Sequence, residues 1–198
     1  MKSLHIAATA LALAGLASCV APVGPVEVTR FHVPELAQIG RGPIAVEPAP
    51  GQDGSSLEYR TYAEAVSRQL NLLGYIEGPN GAVSPQVATL RIERRSFRPD
   101  RTRNPVSVGV GGSAGSYGSG VGLGIGLDLS GPPSEQVETL IGVTIRQRAS
   151  GKALWEGKAS FAVRAASPLA QTQLGAAKLS EALFKSFPGQ SGETIQVK

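Results

Sequence analysis

The chain has 198 residues, room for one ordinary domain plus an export segment, and its net charge of +4 falls to +3 (18 basic against 15 acidic) without residues 1–18 and their Lys2. With 5% aromatics, 25 glycines and 14 prolines, the core must rest on Val, Leu, Ile and Ala, and so mild a positive balance does not by itself point to nucleic acid. The single cysteine excludes an internal disulfide, a CxxC redox pair and a cysteine-based zinc site.

Residues 1–18 carry the three parts of an export signal: Met1-Lys2-Ser3, an apolar run from Ile6 to Leu16, and the small residues Ala17 and Ser18. A run of that length is too short for a permanent bilayer-spanning helix. Leu16-Ala17-Ser18-Cys19 resembles the lipobox of bacterial lipoproteins. The resemblance implies cleavage before Cys19 and acylation of that cysteine. Several acyl chains hold a protein to a bilayer far more firmly than one, because each buried CH₂ contributes about 0.8 kcal/mol. Val20 stands where an inner-membrane retention signal would place Asp, so the expected address is the periplasmic side of the outer membrane. The expected organisation is a signal peptide over 1–18, an acylated cysteine and tether over 19–25, and a single periplasmic α+β domain over 26–198.

Ala21 to Pro25 suits a short tether. Val26, Val28 and Arg30 alternate with Glu27, Thr29 and Phe31, which predicts a first strand; Pro43 to Pro48 predicts a second. Ser55 with Glu58 has the spacing of a capping box, and Tyr59, Tyr62, Ala63, Val66, Leu70 and Leu73 then recur at helical spacing up to Gly74. Val87 to Phe97 reads as a third strand, which the intervening helix would place parallel to the second. Val137 to Arg148 and Ala153 to Val163 flank a turn at 149–152 and read as a hairpin. Ser167-Pro168 predicts the start of a second helix, with Thr172, Ala176, Leu179, Leu183 and Phe187 as its inner stripe. Residues 193–198 are a short strand or a tail. The expected architecture is α+β: a mixed, largely antiparallel sheet of about four to six strands, two amphipathic helices on one face, and a glycine-rich hairpin.

That hairpin lies within 106–131. Gly109-Val110-Gly111-Gly112-Ser113-Ala114 satisfies G-x-G-x-x-A, but a dinucleotide loop must open a helix, and Gly115 to Gly120 is a poor helix start. Period two fits better. Val106, Val108 and Val110, then Val121, Leu123, Ile125, Leu127 and Leu129, alternate with small residues, giving one aliphatic and one nearly bare face. The hairpin either covers its own domain's core or presents a face to a membrane or to another backbone. Gly122, Gly124 and Gly126 are the candidate partner face for an envelope protein or for self-association.

Arg91, Arg94, Arg95, Arg98, Arg101 and Arg103 concentrate beside it, with only Glu93 and Asp100 among them. They are candidate contacts for phosphates or another anionic envelope component, since guanidinium pairs with phosphate in bidentate fashion; the alternative is a solvated strand end. With Phe97 the sole interleaved ring, single-stranded nucleic acid is not expected. Catalytic groups are scarce. His5 leaves with the signal, so His32 is the one mature histidine; Asp53, Asp100 and Asp128 show no pairing, and no G-x-S-x-G occurs. No catalytic residue, metal or cofactor is expected.

Beyond the lipobox, Phe31-His32, Leu73-Gly74-Tyr75, Ala88-Thr89-Leu90, Thr139-Leu140-Ile141, the run Gly151 to Gly157 with Trp155, and Phe184 to Gly189 follow in an order that resembles the domain of unknown function 4136 family of envelope lipoproteins. The resemblance covers about Val26 to Gly189. Glu156 stands where that family usually has arginine, and Gln147-Arg148 where many members carry Asp. The resemblance implies location and fold, and it carries over no catalytic residue. The expectation is therefore a non-enzymatic binding or assembly lipoprotein held to the membrane through Cys19. An envelope hydrolase with an unrecognised site is the competing class.

Overall fold

A computed structural model describes residues 24–34, 42–78, 84–99, 106–115, 118–127 and 133–198, with 106–127 described by backbone pairing. The strands are β1 (Val26–His32), β2 (Gly42–Pro48), β3 (Tyr75–Glu77), β4 (Gln86–Phe97), β5 (Val106–Gly115), β6 (Gly118–Leu127), β7 (Gln136–Gln147), β8 (Ala153–Arg164) and β9 (Thr194–Val197). The helices are α1 (Leu57–Leu72) and α2 (Thr172–Phe184), with a 3₁₀ turn at Pro168–Ala170 before the second.

Seven strands form one mixed sheet in the order β3-β2-β4-β7-β8-β1-β9. This is the expected α+β class with more strands than expected. The strand not expected, β3, and the one left open at 193–198, β9, are both at the edges. β3 pairs parallel with β2 through three residues, and β9 pairs antiparallel with β1 from Val26↔Val197 to Thr29↔Thr194. β2 and β4 are parallel, Ile44↔Gln86 to Pro48↔Leu90, as the strand–helix–strand order predicts. β4, β7, β8 and β1 continue antiparallel.

The sheet buries one face under the helices. Along β7, Val137, Thr139, Ile141, Val143 and Ile145 are buried, while the intervening positions are partly exposed. β8 repeats the pattern with Trp155, Gly157, Ala159, Phe161 and Val163. These side chains join Tyr59, Tyr62, Val66 and Leu70 of α1 and Ala176, Leu179 and Leu183 of α2 in a single core. Period two on the strands and period 3.6 on the helices are therefore satisfied by one shared interface.

Two helix starts differ from expectation. α1 is capped by Ser56, whose Oγ accepts from the Tyr59 amide at 3.1 Å; Ser55 instead donates its hydroxyl to Asp53 Oδ1 at 2.6 Å. The turn that Asp53 folds over Ser55 takes Ser55 out of the capping position. Ser167 caps the 3₁₀ turn, accepting from the Leu169 amide, and α2 begins five residues later behind Gln171, which has no side-chain cap. Phe187 accordingly lies past the end of α2, although it still packs on the core.

Candidate functional site

The glycine hairpin is a two-stranded antiparallel ribbon separate from the main sheet. Its register aligns Val106 with Leu127, Val108 with Ile125, Val110 with Leu123 and Gly112 with Val121. It equally aligns Ser107 with Gly126, Gly109 with Gly124 and Gly111 with Gly122. Residues opposite one another in a ladder share a face, so the two strands place their aliphatic positions, with Gly112, in one row and the other glycines from Gly109 to Gly126 in the second. Gly122, Gly124 and Gly126 are thus in a common row. Asp128 and Leu129, expected to extend β6, lie outside the described residues.

The hairpin leaves the sheet and rejoins it at one point. β4 ends at Phe97 and β7 begins at Gln136, and these two residues are ladder partners. Gln136 is also opposite Arg164, the last residue of β8. On the same strand Ser160 lies opposite Glu27 at the start of β1. The start of β1 and the two points where the chain leaves the sheet toward the hairpin and returns from it therefore sit at one end of the sheet, separated along β8 by the four steps from Ser160 to Arg164, about 13 Å.

The arginines divide. Arg91 and Arg95 are on the sheet face away from the helices, opposite Gly142 and Glu138. Arg91 pairs with Glu93 at 3.9 Å; Arg95 pairs with Glu138 and its guanidinium lies 5.8 Å from the centroid of the Phe97 ring. Arg94 points the other way and ties the helices to the sheet. It bonds Glu58 of α1 at 3.4 Å, Thr172 of α2 at 3.3 Å and the Ala170 carbonyl. Arg98 is exposed just beyond β4, whereas Arg101, Arg103 and Cys19 lie outside the described residues. Alternation on a strand sends neighbours Arg94 and Arg95 to opposite faces, so the arginines described on β4 do not form one patch.

A second cluster, not singled out from the sequence, surrounds the end of α2. Arg30 is 4% exposed, and its Nε and Nη2 donate to the carbonyls of Leu183 and Ala182, each at 3.0 Å. These are among the carbonyls a helix C-terminus leaves unpaired, and a cation is favoured there by the helix dipole. Burial lowers the guanidinium's pKa, and the charge of Glu193 works against that shift. His32 follows two residues later, its Nδ1 2.7 Å from the Val33 carbonyl and its Nε2 3.2 Å from that of Gly189. Beside them Trp155 is stacked on Phe184 at 5.4 Å and lies 5.2 Å from Phe187, and its Nε1 donates to the Pro188 carbonyl at 3.0 Å. Arg30, His32 Nε2 and Trp155 Nε1 all meet backbone carbonyls of residues 182–189, which makes the cluster a clamp on the end of α2. Among the described residues, no group of three or more His, Cys, Asp or Glu is arranged to hold a metal ion.

No family model matches the chain. The uncharacterized protein ZMO1243 of Zymomonas mobilis subsp. mobilis is 27% identical over 215 aligned positions, covering 88% of this chain and 80% of that protein. Among solved structures, a PDZ domain protein from Parabacteroides distasonis is similar with a TM-score of 0.48 and 9% identity over 88% of this chain. The match spans only 39% of that protein's chain. The PelC dodecamer from Paraburkholderia phytofirmans is similar with a TM-score of 0.38 and 10% identity, over 79% of this chain and 96% of that one. Likenesses at this level leave function to the chain's own residues.

Proposed function

We propose that this is a lipid-anchored envelope protein facing the periplasm from the outer membrane, acting as a non-enzymatic binding or assembly factor. The observation that carries the reading is Leu16-Ala17-Ser18-Cys19 at the end of a short positive start and an apolar run. The resemblance to the domain of unknown function 4136 family supports the same address. The placement of both His32 ring nitrogens beside backbone carbonyls, either of which can accept the N–H of one tautomer, supports a non-enzymatic role, because the imidazole is turned toward the backbone rather than offered to a substrate.

The reading is tested by growing cells with a clickable fatty acid and comparing wild type with Cys19→Ser. Wild type is expected to incorporate the label and to sediment with outer membranes, and the variant to do neither. Equal labelling of the two would overturn the anchor. Crosslinking in intact cells, followed by identification of attached proteins, would then name the partner of an anchored protein.

A further inference from the structure

We infer that the β5–β6 hairpin is a second, non-covalent membrane contact, lying flat on the lipid surface with its aliphatic row in the acyl-chain boundary and its glycine row toward water. The inference rests on the Cys19 anchor proposed above. It draws on three independent features of the hairpin.

The first is position. Cys19 to Pro25 can span at most about 25 Å, so an anchored Cys19 holds the start of β1 at Val26 within that distance of the bilayer. The chain leaves the sheet for the hairpin, and returns from it, at the same end, since Phe97, Gln136 and Arg164 are ladder neighbours there and Glu27 pairs with Ser160 on β8. The fold thus attaches the hairpin, whose one row is mostly aliphatic, at the end of the sheet that the tether keeps near lipid.

The second is chemistry. From Val106 to Leu127 the sequence contains no Asp, Glu, Lys or Arg. Its register gathers Val106, Val108, Val110, Val121, Leu123, Ile125 and Leu127 in one row. Charged side chains are instead just outside it, with Arg98, Asp100, Arg101 and Arg103 leading into β5 and Asp128 following β6, a net positive flank. Arginines flanking an apolar surface suit anionic lipid headgroups beside hydrocarbon.

The third is the pattern of the ladder, which decides between lying on the bilayer and crossing it. Each strand has 10 residues, a length that could span when tilted. Two strands alone, however, leave two open edges, and unpaired backbone groups are not tolerated in hydrocarbon. The aliphatic row also stops at Gly112↔Val121, and the remainder toward the tip is Gly, Ser, Ala and Tyr. A hairpin lying at the interface keeps its edges hydrated and needs only the row it has.

The test uses the full acylated chain in vesicles. An acylated Cys19 has no free thiol, so single substitutions Val121→Cys, Leu123→Cys and Ile125→Cys, or Gly122→Cys, Gly124→Cys and Gly126→Cys, each accept one environment-sensitive fluorophore. Emission of the single tryptophan, buried at Trp155, reports that each variant is folded. In vesicles of phosphatidylethanolamine and phosphatidylglycerol, labels at 121, 123 and 125 should be quenched severalfold more by a nitroxide near the headgroup end of the acyl chain than labels at 122, 124 and 126. Aqueous iodide should show the reverse order. Iodide reaching both rows equally would overturn the inference. So would protection of the aliphatic row without vesicles, which would assign it to the domain's own core or to a second copy. Quenching of both rows by a nitroxide at the bilayer centre would replace lying flat with spanning. Alternation of equal strength in vesicles without anionic lipid would remove the arginines from the contact. If wild type itself takes the fluorophore, Cys19 is not acylated and the anchor reading fails; the hairpin is then read separately in a Cys19→Ser background.

Discussion

The indole of Trp155 lies over the backbone of Gly157, the next residue on the same face of β8. A Cβ built on Gly157 would sit 2.8 Å from both the Trp155 Cζ2 and the Leu183 Cδ1 atoms. The ring can lie along its own strand only because the position two residues on has no side chain. Phe184 and Phe187 then cover its outer side. Tryptophan, glycine and the end of α2 form one packing unit.

Gly157→Ala should consequently destabilise the domain by about 1–3 kcal/mol, the usual result of forcing a methyl group into a filled core. Gly142→Ala on β7 is the matched control, because the nearest atom to its Cβ would be that of Arg91 at 3.9 Å, an ordinary contact. Urea unfolding of both variants checks the contrast, which disappears if the two midpoints shift alike.

Trp155 is 1% exposed, and Trp155→Ala should cost about 3–5 kcal/mol. Trp155→Phe keeps most of the stacking while losing the hydrogen bond to the Pro188 carbonyl, a net of about 0.5–1.5 kcal/mol. Thermal melts that place the two variants together would show that the hydrogen bond, and not the ring, holds the end of α2.

Removing Arg30 leaves two buried carbonyls of α2 without donors. Arg30→Met, which preserves much of the volume, should destabilise by about 1.5–3 kcal/mol, the range for hydrogen bonds to a charged group. Arg30→Lys should recover only part of that loss, since an ammonium keeps the charge at the helix end but cannot reproduce the planar fork. Full recovery by lysine in chemical denaturation would reduce the effect to charge alone.

The two faces of β4 separate the arginines by their stability cost. Arg94→Ala should lower stability by about 1–3 kcal/mol, because it removes bonds to α1, to α2 and to the Ala170 carbonyl at once. Arg91→Ala, whose partner Glu93 is 3.9 Å away on the exposed face, should stay within about 0.5 kcal/mol. A similar loss in both would mean that the outer face also carries stability.

Alkali should unfold the domain between about pH 10 and pH 12. Burial pushes the hydroxyls of Tyr59, Tyr62 and Tyr75 up to about 12 from an ordinary value of 10. Tyr59 is raised further by Glu47, and for Tyr62 the charge of Arg94 and a bond to Thr139 oppose the shift. The neutral phenol is the form that the fold retains, so its stability contribution is complete below pH 10 and is lost as pH rises through about 12. Each unit corresponds to at most about 1.4 kcal/mol, reduced here by solvent screening of the partly buried hydroxyls, and the three groups act in the same direction. In a Tyr117→Phe variant, which leaves only these three phenols, phenolate absorbance and loss of circular dichroism should rise together. Phenolate forming well before unfolding in that variant would mean that these rings reach solvent in the native state.

Much of this fold is legible in the sequence because its longest elements carry their own period. The parallel pairing of β2 with β4, the β7–β8 hairpin and the stripe Tyr59, Tyr62, Val66, Leu70 follow from spacing alone, and the sorting of the glycine hairpin into an aliphatic and a bare row follows from alternation, whereas its register does not. The tertiary structure decided the rest, and each case has a local cause. Three-residue β3 and four-residue β9 are strands only because β2 and β1 offer them an unpaired edge. Ser56 rather than Ser55 caps α1 because Asp53 claims Ser55 first. Arg94 and Arg95 are adjacent in sequence and part company across the sheet. Arg30 reads as a polar residue in an apolar alternation, and its place in the core is intelligible only once α2, 152 residues later, brings Ala182 O to meet it. Periodicity is a property of a segment and can be read from it; a cap, an edge pairing or a buried charge is a property of two segments, and only folding brings the second one near.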